Sequence, residues 1–220
     1  MRNISLNIMA AALLLLVCGA AQATPVLSIQ LVSGANVVNL ADGDNDGVVT
    51  YIGAIGVWTV NVTTGLGSPL LGGLSLPVIH LNSVDVSSQN GGTLYVRIQQ
   101  LGNSSATNPL AMQFAFGGAT NGTVNGVACA NAVNSVFNAD GTTNACDASV
   151  ALGPFSTAAF SGIGGLIGNP NNIGMLISIT HGAGVKTTSI DAELSGIPEP
   201  GTYALMGFGL AGLAFLRRRR

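Results

Sequence analysis

The chain has 220 residues, enough for one ordinary domain with appended segments. Nearly half of it (48%) is hydrophobic and only 7% is charged, against about 25% in a typical soluble domain. Outside the terminal segments only Arg97 and Lys186 are basic, against eight acids, so the body carries a net charge of −6. That balance excludes the basic footprint nucleic acid requires, so no nucleic-acid partner is expected.

Residues 1–23 read as a signal peptide that engages the Sec translocon and signal peptidase. Arg2 supplies the positive start, and residues 8–17 are apolar. Ala21 and Ala23 bracket a small-x-small cleavage site, so the mature chain is expected to start at Thr24. The apolar run is shorter than the roughly 20 residues a membrane span needs. Cys18 does not make a lipobox, because Val17 before it is not small, and cleavage after Ala23 discards it.

Residues 24–197 are expected to form one all-β domain, an antiparallel β-sandwich of jelly-roll-like type. The first notable stretch is Asp42-Gly43-Asp44-Asn45-Asp46-Gly47. Carboxylates at alternate positions followed by glycine match the first half of an EF-hand-type loop. The match then fails, because Gly53 stands where the bidentate glutamate is due. Two readings stay open: a calcium site at Asp42, Asp44 and Asp46, or a solvated acidic turn. No other cofactor is expected.

Period-two alternation then marks strands at residues 57–62, 83–87, 93–99, 176–180 and 188–194. Asn90-Gly91-Gly92 and Asn121-Gly122 read as hairpin-type turns, since these residues tolerate positive φ. Residues 103–109 and 164–172 read as exposed loops. Trp58 falls within an alternating strand and is assigned to the core.

His80 and His181 are the two histidines. Asp85 lies five residues from His80, which along a regular strand points its side chain to the opposite face. Neither a G-x-S-x-G elbow nor an H-E-x-x-H helix is present, and no catalytic residue is assigned. Cys129 and Cys146 survive signal cleavage, and in an exported chain they are expected to form a disulfide across an Asn-rich surface loop.

The chain closes with Pro198, Glu199 and Pro200, an uncharged apolar stretch at 201–216, then Arg217, Arg218, Arg219 and Arg220. As a helix the stretch rises about 24 Å, somewhat short of a roughly 30 Å hydrocarbon core. Bilayer thinning and snorkelling arginines absorb that difference. Four arginines resist translocation, so they act as a membrane stop on the cytoplasmic side. The domain is thus expected to be flanked by an N-terminal signal helix and a C-terminal transmembrane helix.

Residues 198–220 resemble the PEP-CTERM sorting signal of Gram-negative bacteria. The resemblance implies processing by exosortase, a membrane-embedded transpeptidase-like enzyme. It also implies a transient stay in the cytoplasmic membrane, then the cell surface or an exopolysaccharide-rich biofilm matrix. Residues 46–56, 58–65, 80–86 and 91–94 resemble a pattern recurring in PEP-CTERM proteins of uncharacterised function, which implies a shared β module. The expected role is non-enzymatic, structural or adhesive, through contacts with exopolysaccharide or protein. A secreted polysaccharide hydrolase and a calcium-stabilised glycan-binding adhesin are the alternatives.

Overall fold

The alternating runs become strands because each buries one face and wets the other. The computed structural model describes residues 25–103 and 109–197. The signal segment with Ala21 and Ala23, the sorting tail from Pro198 to Arg220, and both flanking helices expected above lie outside the described residues. Among the described residues, no helix is long and apolar enough to cross a membrane.

Within the described residues, twelve antiparallel strands build two six-stranded sheets. The first sheet comprises β2 (Asn36–Ala41), β1 (Val26–Ser33), β6 (Gly92–Leu101), β11 (Asn172–His181), β8 (Thr123–Asn131) and β9 (Ala148–Phe155), in that spatial order. The second comprises β10 (Phe160–Gly168), β7 (Leu110–Thr120), β12 (Lys186–Gly196), β5 (Val78–Ser88), β4 (Trp58–Leu66) and β3 (Val48–Ile55).

The inner faces meet in one apolar core. Leu27, Ile29, Leu94, Val96, Ile98, Met175 and Ile177 line it from the first sheet. Phe114, Phe116, Ile79, Leu81, Val84, Ile190 and Leu194 line it from the second. Each such side chain contributes about 1.5–3 kcal/mol on burial. The packing is tight: a Cβ at Gly126 would stand 2.8 Å from Phe114 Cζ.

Three expectations are corrected. Residues 164–168 are part of β10 rather than an exposed loop. Asn90–Gly92 and Asn121–Gly122 are turns, but neither closes a hairpin. The first leads from β5 in the second sheet to β6 in the first, and the second leads from β7 to β8, again between sheets. Gly91 does take the expected positive φ, at 73°. Local turn chemistry fixes the chain reversal, whereas sheet membership depends on which partners bury the two strands.

The third correction concerns β5. Its buried apolar residues are Ile79 and Leu81, then Val84 and Val86. Ser83, at φ 56°, breaks the alternation, and the pairing of β12 with β5 shifts between Ile190 and Ala192. The extra residue of this bulge reverses parity, so Asp85 shares the outward face with His80.

Strand direction defines two poles. β1 begins and β12 ends at the same one, termed the exit pole. The β2–β3, β4–β5 and β10–β11 connections lie there too, as the registers Ser28↔Ala41, Val48↔Leu66 and Asn172↔Leu101 require.

Candidate functional site

The outer face of the second sheet carries the most chemically varied surface. Outward positions on β12 hold Thr187, Ser189, Asp191 and Glu193, and those on β5 hold His80, Asp85 and Ser87. Two grooves cross this face. One, of about 330 Å³, is lined by Asn61, Asp85, Asn121, Thr187 and Ser189 among others. The other, of about 390 Å³, is lined by His80, Asp191, Glu193, Ser161 and Ile163 together with Ala115, Phe116 and Gly117 of β7. His80 Nε2 lies 2.7 Å from Asp191 Oδ1, a partly exposed pair. Sequence reasoning missed this partner, because 111 positions separate the two residues. Three carboxylates, a histidine, amides and hydroxyls on one sheet face suit hydrogen bonding to a polyhydroxylated ligand.

His181 has a different setting. It is buried at the end of β11 with its ring centroid 4.5 Å from that of Trp58. Its Nδ1 lies 2.9 Å from Ser88 Oγ, and its Nε2 lies 2.8 Å from Thr188 Oγ1. Thr188 in turn meets Thr120 at 2.7 Å. With hydroxyls on both nitrogens and no carboxylate among the described residues to orient it, His181 is built as a core polar link.

Burial, reinforced by nearby Lys186, pushes the His181 pKa below its usual value. The unfolded chain therefore takes up a proton, near a pH of about 6.5, that the fold resists. The stability tied to neutral His181 is complete above that pH and declines as pH falls toward the folded value. The melting temperature should thus drop between pH 7 and 5, and His181→Gln should flatten that slope. An unchanged slope in the variant would refute the assignment.

The acidic loop joins β2 to β3 at the exit pole. Asp42 is buried, and its carboxylate accepts the backbone N–H groups of Asp46 (3.2 Å) and Gly47 (2.8 Å). Asp46 Oδ1 accepts the N–H of Val48 at 2.8 Å. Gly47 has φ 83°, and a Cβ there would stand 2.6 Å from the carbonyl oxygen of Gly67, so only glycine fits. Carboxylate oxygens of Asp42, Asp44 and Asp46 lie within 4.8 Å of one another.

On the outer face of the first sheet, Cys129 and Cys146 are joined by a disulfide. The loop it closes is more than a surface excursion. Val136 and Phe137 are buried in a small second core with Cys129, Cys146 and Leu176. Their backbone N–H groups donate to Gln99 Oε1 at 2.9 and 3.2 Å. Beneath the loop, Arg97 Nη1 donates to Gln30 Oε1 (2.7 Å) and to the Gly141 carbonyl (2.6 Å), and the guanidinium sits over the Tyr95 ring. Burial lowers the Arg97 pKa from its ordinary value, Tyr95 opposing, yet a guanidinium stays charged at neutral pH.

Residues 196–220 match the family model of the PEP-CTERM protein-sorting motif. No curated protein matches the chain. Among solved structures, TmCBM61 in complex with β-1,4-galactotriose is similar at 10% identity and a TM-score of 0.31, over 64% of this chain and 90% of that one. The K1 cleaved adhesin domain of Lys-gingipain from Porphyromonas gingivalis W83 is similar at 13% identity and a TM-score of 0.29, over 80% and 99%. The carbohydrate-binding module CBM6cm-2 of Cellvibrio mixtus lichenase 5A is similar at 10% identity and a TM-score of 0.18, over 75% and 94%.

Proposed function

We propose that this chain, which carries a PEP-CTERM protein-sorting motif at residues 196–220, delivers a non-enzymatic β-sandwich of jelly-roll type to the surface of a Gram-negative bacterium. Exosortase is its processing partner, and the extracellular polymer matrix is its destination. There it serves as a structural or adhesive component that holds exopolysaccharide.

One observation carries the reading: the sorting motif is joined to a sandwich whose outer sheet face has one groove lined by amides, hydroxyls and a carboxylate, and a second where a histidine, a hydroxyl and two carboxylates stand among apolar residues. Such groups satisfy sugar hydroxyls without the aromatic platform that many glycan sites use. The enclosed His181, with hydroxyls on both ring nitrogens, supports a binding role over a catalytic one.

The test has two arms. Glu199→Ala should leave the unprocessed precursor in the membrane fraction, and equal release of mature protein from both forms would contradict the sorting role. The released domain should sediment with exopolysaccharide from its own cells, and Asp85→Ala with Glu193→Ala should weaken that. Sedimentation unaffected by the double variant would remove the grooves from the account.

A calcium-stabilised version of this adhesin rests on the convergence of the Asp42, Asp44 and Asp46 oxygens. Bound calcium would brace the loop and do no chemistry. Millimolar calcium should then raise the melting temperature of the wild type and leave Asp44→Ala unmoved. No calcium-dependent shift in the wild type ends this version.

A further inference from the structure

The sorting motif has no linker. β12 is an interior strand, paired with β7 on one side and β5 on the other up to its last residues, Ser195↔Val78 and Gly196↔Met112. The N–H of Gly196 donates to the Pro77 carbonyl (3.0 Å), and that of Ile197 donates to the Ala111 carbonyl (2.8 Å). Pro198 is the next residue. The fold is therefore hydrogen-bonded to within one peptide of the motif, and the first two residues matched by the family model belong to the domain.

Pro198, Glu199 and Pro200 span at most about 10 Å when extended, and the apolar stretch begins immediately after them. An enzyme that reads these three residues cannot gain reach by fraying β12, because fraying breaks ladders on both of its sides. It must come against the exit pole itself.

That pole is dressed for contact. Ile167 of β10, 68% exposed, is paired with Ala111, the residue whose carbonyl holds Ile197. Ile197 is 41% exposed. Leu70, 56% exposed, belongs to the β4–β5 connection at the same pole and packs its backbone against Gly47 of the acidic loop.

We infer that the exit pole, through Leu70, Ile167 and Ile197, is a docking face for exosortase, so that the enzyme recognises the folded domain as well as the motif. The inference rests on the sorting reading above. The occupant follows from the length of chain between the last hydrogen bond and the membrane segment: a motif held this close to the pole brings its enzyme onto these side chains.

The test compares processing of the full chain in cells, with and without a flexible Gly/Ser insertion of about ten residues between Ile197 and Pro198. Such an insertion gives the motif about 18 Å of mean separation from the pole. In the uninterrupted chain, Leu70→Asp with Ile167→Asp should slow release of mature protein about tenfold, the effect of losing one well-buried interface contact. In the chain with the insertion, the same pair should change nothing. Val57→Asp with Val185→Asp, at the opposite pole, should be silent in both. A photocrosslinker at position 167 should capture the enzyme.

Equal release from the uninterrupted wild type and its Leu70/Ile167 variant overturns the inference. Slowing that persists with the insertion does so too, since it puts the defect in export or folding. Lipid adducts from position 167 with none to the enzyme assign the pole to the bilayer and overturn it likewise. Failure of the sorting reading looks different: Glu199→Ala in the uninterrupted chain would be processed like the wild type.

Discussion

Replacing Cys129 and Cys146 together by serine should destabilise the domain by more than the about 3 kcal/mol that the chain-entropy model gives for a loop of this length. The disulfide joins residues 17 apart in sequence. The loss should be larger than that loop entropy alone, because the closed loop also covers part of the first sheet. Once it detaches, Val136 and Phe137 leave their small core, Gln99 loses two backbone donors, and Arg97 loses the Gly141 carbonyl. Arg97 already has Nε without a protein partner among the described residues, so its buried charge is held by few contacts. Denaturant unfolding measures the cost, and limited proteolysis between residues 132 and 147 reports the detachment. A double variant with wild-type stability and an uncut loop would show that packing alone holds it.

Trp58→Ala should cost about 3–5 kcal/mol, the range for removing a fully buried large aromatic. The indole is 1% exposed and packs on His181, whose ring nitrogens tie β11 to β5 and β12. The cavity would sit beside that hydroxyl network. Trp58→Phe should cost far less. The indole Nε1 has no hydrogen-bond partner among the described residues, so phenylalanine removes an unsatisfied donor while keeping most of the apolar contact. Thermal unfolding of the two variants checks the pair. Similar losses in both would mean that the indole N–H is engaged after all.

Together these expectations describe a domain whose stability is spread over three places: the inter-sheet core, the polar link at the pole opposite the exit, and the disulfide-closed loop. The outer face of the second sheet contributes little to any of them. Its side chains are therefore not needed for stability, which is why Asp85→Ala and Glu193→Ala test the proposed ligand contact with little effect on the fold.

Much of this is legible in the amino-acid sequence. Alternation at residues 93–99 and 176–180 places Leu94, Val96, Ile98, Ile177 and Ile179 on buried faces, because a strand exposes every second side chain to one side only. Trp58 belongs to the core on the same ground. The disulfide follows from two cysteines in the body of a chain whose ends read as export signals, and the sorting motif from three residue types in fixed order. All of these are local or compositional signals, carried by neighbours in sequence.

The tertiary structure alone decides the rest. The bulge at Ser83 turns Asp85 to the face of His80, a reversal that period-two reasoning cannot register because one extra residue shifts every side chain beyond it. The His80–Asp191 pair, the burial of Arg97 under the disulfide loop, and the crossing of Asn90–Gly92 between sheets all join residues whose proximity depends on which strands pack together. That choice is made by the shared core, a property of the whole chain. The sequence determined what each segment is and where the protein is addressed. Packing determined which segments meet, and so which side chains share a surface.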